Sequence, residues 1–468
     1  MRPSHDMLTA AGSGFRAVHL LLLGIVLIIG THLRVGAVVD TVVQAPIRAD
    51  AAQYVAYAYN LRVHETYSHS LDVLLGKDNR PKPDALRTPG YPLFLYLFTT
   101  TGDLEQFSRR VTLAQAGISG LTILLAYGVA AWVLGPSWAI GVALLTALSP
   151  HLVTANTYLL SETLFTFLLM LGLLAAQRAA HGLGGRLWIV VGLLLGLATL
   201  VRPTLQYFFL VASVVVALQP GARQGIRAAA WLVLGFAVVV VPWMLRNWLA
   251  IGAVGDGTLM ISTLHHGMYP QFMYGGRPET FGFPYRFDPD AARIAESVGS
   301  VLQAIAARFR DAFWEHLSWY GEKPLWFLRW GIVAGQGDVF VYPTEASPYY
   351  GQPLFVWTRT AMYLTHSLLV GLSFLGAVTA WLPVTRRLVD DGPLFSLRLL
   401  AAAYLYFIVI HIVGAPFPRY SIPVRPLTYA LALVPLYLML GAWRSFRRSR
   451  SSRNVLDAPT TSGSESIR

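Results

Sequence analysis

Apolar runs close to twenty residues long recur along this chain, and they limit its fold more than any other feature. About 20 apolar residues are what an α-helix needs to cross a ~30 Å hydrocarbon core. Inside that core each backbone N–H and C=O has to be satisfied within the segment. Ten segments fit, at about 17–39, 108–134, 138–153, 159–178, 187–201, 204–219, 228–248, 356–384, 395–413 and 424–443, the third and fifth being short for a full crossing. Only 13% of the 468 residues are charged, where a soluble domain averages about 25%. The expectation is an all-α integral membrane protein with about ten transmembrane helices, interfacial helices and two large external loops, near 40–107 and 250–355. Residues 1–16 form a short head, 17–443 the membrane domain, and 444–468 a Ser/Thr-rich tail expected to be disordered. Tyr91–Thr100 is apolar but too short to span, which suggests a re-entrant or interfacial helix.

The basic residues set the orientation. Arg178 and Arg186, Arg223 and Arg227, Arg386 and Arg387, and the tail arginines from Arg444 to Arg450 all fall on one side of such a ten-span arrangement. The positive-inside rule puts that side, and both termini, in the cytoplasm of a cell whose inner (plasma) membrane carries the protein. The two large loops then face outward. The net charge of +12 follows this topology rather than a binding stripe, so nucleic acid is not an expected partner. The absence of cysteine excludes disulfides, thiolate metal sites and a Cys nucleophile.

Within the first outer loop, Asp50 precedes a stripe of Tyr54, Tyr57, Ala58 and Leu61 at helical spacing. Asp50 followed by Gln53 reads locally as a capping box. A carboxylate there could also accept a proton at the mouth of a membrane cavity. Arg87, Arg202, Arg246 and Arg419 sit beside prolines at the outer ends of apolar segments, against the positive-inside bias. A phosphate is a suitable shared partner, because the guanidinium fork matches its oxygens. Glu162 opens the fourth segment, either as a helix-end charge behind a Ser161 cap or as an acceptor- or metal-binding carboxylate. His265 and His266 follow the seventh segment, but no HExxH-type spacing surrounds them, so the metal signal is weak. Ile294, Val298, Val301, Ile305 and Phe309 describe an amphipathic helix that would lie on the membrane or cover a cavity. Trp314, Trp319, Trp326 and Trp330 suit interfacial anchoring better than sugar stacking. No Walker, GxSxG, GxGxxG or nucleotide-sugar DxD pattern is present.

Taken in order, the motifs are Asp50 before a Tyr-bearing helix, RTPGYPLFL, LLSETLF, GLATLVRPT, PWMLRNW and PRYSIP. This order resembles the GT-C superfamily of polyprenyl-phosphate-sugar-dependent glycosyltransferases over about residues 15–440. The likeness is strongest to the bacterial branch of aminoarabinose transferases and relatives of protein O-mannosyltransferases. The resemblance implies an inverting displacement on the external face. Asp50 would be the catalytic base, with Arg87, Arg202, Arg246 and Arg419 near the donor phosphate and Glu162, Tyr54 and His265 near the acceptor or a metal. Expected partners are a polyprenyl-phosphate-sugar donor, a glycan, lipid or protein acceptor, and membrane lipid. No definite cofactor is implied beyond a possible divalent metal ion. Many members carry Glu directly after the catalytic Asp, whereas this chain has Ala51. The alternatives are a transporter or flippase of lipid-linked sugars, or a catalytically idle scaffold for which Ala51 is the best support. Transporters place ionisable groups near the midplane, and here the charges sit at segment ends.

Overall fold

The computed structural model describes residues 5–71, 80–99, 103–182, 185–218, 222–332 and 336–456, with backbone alone for 5–16, 222 and 444–456. The chain opens with α1 (His5–Asp40), a two-residue strand β1 (Val42–Val43), α2 (Ala49–His64) and the short α3 (Gly90–Tyr96). Then follow α4 (Leu104–Leu134), α5 (Pro136–Leu148), α6 (Pro150–Thr154), α7 (Glu162–Ala180), α8 (Leu187–Val201), α9 (Phe208–Ala217) and α10 (Ala222–Ile251). A large segment carries α11 (Thr258–Gly267), α12 (Ala291–Ile294), α13 (Val298–Asp311), α14 (Phe313–Phe327) and β2 (Thr344–Ala346). The chain closes with α15 (Pro353–Thr379), α16 (Thr385–Leu388), α17 (Asp391–Val413) and α18 (Arg425–Leu456).

Among the described residues, seven helices are long and apolar enough to cross a membrane, or up to eight if the bent pair α5–α6 is one span. Each of the ten apolar segments coincides with a helix, since 187–201 and 204–219 fall on the shorter α8 and α9. The chain is thus a multi-pass membrane protein. Lipid tails give no hydrophobic drive between helices, so close approach depends on small residues. Gly192 and Gly235 serve α8 and α10 in this way. A Cβ on Gly192 would stand 2.0 Å from the Leu232 carbonyl oxygen, and one on Gly235 would stand 2.1 Å from that of Ile189. Central α17 buries most of its length, while α1, α10 and α15 keep wide apolar faces outward.

The break between α5 and α6 has a chemical cause. Pro150 cannot donate an N–H, and the helix bends by 52° there. The freed carbonyls are capped by the buried Arg34 of α1, which donates to Thr146 O and Ala147 O at 3.0 Å each and to Ser119 Oγ at 2.7 Å. A buried charge is tolerated here because each of its nitrogens has an acceptor.

Four expectations change. The fold is not purely helical, because β1 and β2 pair antiparallel with Val43 opposite Thr344, which joins the segment after α1 to the one before α15. The amphipathic run from Ile294 to Phe309 is broken at 295–297, where Ser297 caps α13 by accepting from Ser300 N. Ile294 and Val301 bury against Leu264, Met268 and Tyr269, so this run packs on α11. Of the four tryptophans, Trp314 is exposed, whereas Trp319 is core and donates to Gly267 O at 2.8 Å. The tail begins as a continuation of α18 to Leu456, and 457–468 lie outside the described residues. Residues 72–79 and 100–102, within the first loop, are also outside them.

Candidate active site

Asp50 stands in the first turn of α2, whose first residue Ala49 has φ 46°, as Ala45 in the preceding loop has φ 49°. Left-handed backbone at non-glycine residues carries a strain of roughly 1–2 kcal/mol each, and here both positions flank the approach to Asp50. The capping-box expectation fails, because the N-cap residue is Arg48 and no side chain caps the helix. Both Asp50 oxygens instead face guanidinium groups, Oδ1 with Arg87 Nη2 at 2.7 Å and Oδ2 with Arg419 Nη1 at 3.0 Å. Gln53, one turn along the same face, accepts from Arg87 Nε at 2.8 Å and fixes that guanidinium's direction. Tyr54 lies beneath it, with the Arg87 guanidinium 5.3 Å from the ring centroid.

Arg419 joins this pair to a second carboxylate. It sits on the 3-10 segment Pro418–Val424 that links α17 and α18, and its Nε donates to Glu162 Oε1 at 2.6 Å. Glu162 is the first residue of α7 and is 1% exposed. Ser161 does not cap that helix through its side chain; its Oγ and Glu162 Oε2 are both buried without a hydrogen-bond partner. Arg202 ends α8 ahead of Pro203, with Nη1 2.9 Å from Glu162 Oε1 and its guanidinium 4.8 Å from the centroid of Tyr420. The site therefore gathers Arg87, Arg202 and Arg419 around Asp50 and Glu162, with one positive charge in excess. Burial pushes the Asp50 carboxyl up, but Arg419, Arg87 and Arg202 outweigh it and hold the group down at about 2.

Arg246 is placed elsewhere. It donates to Asp84 O at 2.7 Å and Tyr67 O at 3.2 Å, and its guanidinium lies between the rings of Tyr67 and Trp243 at 5.2 and 5.1 Å. The loop it holds is organised by Asp84, whose carboxylate accepts from Tyr57 Oη, from His69 N at 2.9 Å and from His69 Nδ1 at 2.8 Å. Tyr57 Oη in turn accepts from Arg87 N at 3.2 Å, so this cluster positions the Arg87 backbone. Burial opposes ionisation of Asp84, yet its hydrogen bonds from His69 and Tyr57 hold it at about 2. Asp84, His69 and Tyr420 carry no mark in the sequence that sets them apart, and Gln53 is marked there only as a capping residue. The only available signal was Asp84 standing three residues before Arg87 in a Pro-rich loop.

His265 is also apart from Asp50. Its Nε2 is 2.9 Å from Tyr269 Oη, which donates to Asp288 Oδ2 at 2.6 Å, the oxygen that Arg308 reaches at 2.7 Å. This chain of contacts ties α11 to α13. His266 packs edge-on against Phe272 and Phe417, and burial pushes it down to about 4. Among the described residues no group of three or more His, Cys, Asp or Glu could hold a metal ion. At Glu162 the guanidinium groups of Arg419 and Arg202 both meet Oε1, while Oε2 has no hydrogen-bond partner.

Residues 85–246 match the family described as dolichyl-phosphate-mannose-protein mannosyltransferase. The match spans roughly a third of the chain, includes Arg87, Glu162, Arg202 and Arg246, and leaves out Asp50 and Arg419. It bears out the resemblance to polyprenyl-phosphate-dependent glycosyltransferases. No curated protein matches the sequence. Among solved structures, the chain is similar to the Archaeoglobus fulgidus oligosaccharyltransferase tethered with an acceptor peptide, at 14% identity and TM-score 0.48, covering 92% of this chain and 50% of that one. The Archaeoglobus fulgidus AglB structure with an inhibitory peptide and a dolichol-phosphate gives 14% identity and TM-score 0.48, over 93% and 52%. Cupriavidus metallidurans ArnT bound to undecaprenyl phosphate gives 13% identity and TM-score 0.40, over 90% and 77%. The chain spans about half the length of the oligosaccharyltransferase chains it matches.

Proposed function

We propose that this protein is a membrane glycosyltransferase that moves a sugar from a polyprenyl-phosphate donor to an acceptor on the outer face of the membrane. The observation that carries this reading is the convergence of Arg87, Arg202 and Arg419 on Asp50 and Glu162 with one positive charge to spare. A donor phosphodiester brings one negative charge and neutralises that excess. When the anomeric carbon–oxygen bond breaks, its electron pair stays on the phosphate, which gains a second negative charge. The arginines meet that charge where it develops, which is where electrostatic stabilisation contributes most. Arg246 is not part of this set.

Asp50 takes the proton of the acceptor hydroxyl as the new carbon–oxygen bond forms from the opposite face, so the anomeric centre inverts. Arg419, Arg87 and Arg202 hold the Asp50 carboxyl below the ordinary carboxylate range, which weakens it as a base. A donor phosphate competes for Arg87 and Arg419, and each contact it draws away moves Asp50 back toward the ordinary carboxylate range. Donor binding and base strength are thereby coupled. Glu162 keeps Arg419 and Arg202 oriented throughout.

The test is transfer of radiolabelled sugar from a polyprenyl-phosphate donor to cell-envelope glycan by purified protein, with and without Asp50→Asn. Loss of about 100-fold or more in rate with donor binding retained is expected of a missing general base. Full activity in the variant would remove Asp50 from the mechanism. Donor translocation in vesicles without any transfer would favour a transporter instead.

A further inference from the structure

At the far end of α2 from Asp50 the chain forms a cavity of about 820 Å³, within the ~300–1,000 Å³ range of small-molecule sites. Asp50 lies in the first turn of α2, and the cavity begins at Leu61–Glu65 in its last turn and cap, about 20 Å on at 1.5 Å per residue. Its charged lining is Arg62, Arg80 and Arg246 against Glu65, with His64 beside them. Arg62 and His64 alone would be an ordinary complement to the negative end of a helix. Arg80 and Arg246 come from two other parts of the chain, and their arrival at the same space is not explained by that helix end.

Two of these guanidinium groups are held in place by aromatic rings. Arg246 is fixed between Tyr67 and Trp243 with two backbone carbonyls as acceptors, and Arg62 lies 5.3 Å from the Tyr96 centroid while donating to Tyr96 Oη at 3.2 Å. Ordering such side chains in advance removes part of the entropic cost of binding an anion. The planar fork then favours a tetrahedral oxyanion with several oxygens over a point charge. We propose that this cavity is a second anion site, separate from the Asp50 cluster, that takes a phosphate ester carried by an acceptor glycan or by a membrane lipid headgroup. The site stands whether or not the transferase reading of Asp50 does, because no residue is shared between the two.

The experiment uses the full-length protein in phosphatidylcholine nanodiscs. Glucose 6-phosphate binding is measured by calorimetry for the native protein, for Arg62→Glu/Arg80→Glu, and for Arg87→Ala as the control on the Asp50 cluster. Thermal midpoints are measured in parallel with phosphatidylglycerol added to the nanodiscs. The expected result is binding that weakens with salt, falls roughly tenfold or more in the double variant, returns in Arg62→Lys/Arg80→Lys and is little changed by Arg87→Ala. If the soluble ester does not bind but phosphatidylglycerol raises the midpoint of the native protein and not of the double variant, the site stands with a lipid as its source. Binding that survives in the double variant, or is lost only in Arg87→Ala, overturns the proposal. So does the failure of both probes.

Discussion

Arg419→Met tests the charge network most directly. The Arg419 side chain is 14% exposed, and among the described residues it alone touches both carboxylates, Asp50 at 3.0 Å and Glu162 at 2.6 Å. After substitution Asp50 keeps its 2.7 Å contact with Arg87. Glu162 keeps only Arg202, whose 2.9 Å approach lacks hydrogen-bond alignment. Removing one partner of a buried pair costs about 3–5 kcal/mol, because the other charge stays buried. The remaining Arg202 contact puts Arg419→Met near the lower end, at about 3 kcal/mol. Glu162→Gln removes the orphaned charge, so the double variant should lose little more than Arg419→Met alone, a coupling of roughly 1–3 kcal/mol in the cycle. The assay is reversible unfolding of the detergent-solubilised protein followed by tryptophan fluorescence. Additive losses, or an Arg419→Met protein as stable as the native one, would refute the idea that Arg419 neutralises a buried Glu162.

Other consequences can be checked separately. Lys323 is fully buried on α14, donating to Ile412 O and Gly414 O at 2.8 and 2.9 Å, and burial pushes its ammonium down to about 7. Between that value and its unfolded value of about 10.4 the unfolded chain binds more protons, so stability should rise with pH across this window; unfolding measured from pH 7 to 10 should show the rise in native protein and not in Lys323→Met. Gly90→Ala would put a Cβ 2.6 Å from Val201 N, and because that contact is backbone it cannot yield cheaply. A loss of about 1–3 kcal/mol in the same unfolding assay is expected, together with weaker donor binding, since Arg87 and Arg202 flank the two surfaces in contact.

The apolar segments were legible in the sequence because hydropathy is a local property, and each coincides with a helix. Asp50, Arg87, Arg202, Glu162 and Arg419 were also legible singly, as charges in places where charges are costly. Their pairing was not. Arg419 is 257 residues from Glu162, and nothing local to either says that they neutralise one another. Arg202 and Arg246 look alike in sequence, each beside a proline at a segment end. Arg202 turns inward where α8 ends at Pro203, whereas Arg246 lies within continuous α10 and faces the Asp84 loop. The role of Asp84 was hidden because a single Asp among prolines is an ordinary turn residue. The break at 295–297 was missed because Ile294 keeps the apolar period across a capped interruption.

The capping of α5 by Arg34 also bears on how the protein is made. Arg34 belongs to the first apolar helix, but the Ala147 carbonyl that receives it is 113 residues later in the chain. At ~5–20 residues per second of synthesis, about 6–23 seconds separate the two. For that interval the first helix carries a charge with its distant acceptors missing, and Arg34 at the hydrocarbon depth of an isolated helix is unfavourable by a few kcal/mol. Stable seating of the first helix therefore waits on the fifth. Nascent chains stopped before residue 146 should leave α1 extractable by alkaline carbonate, and chains carried past Pro150 should not.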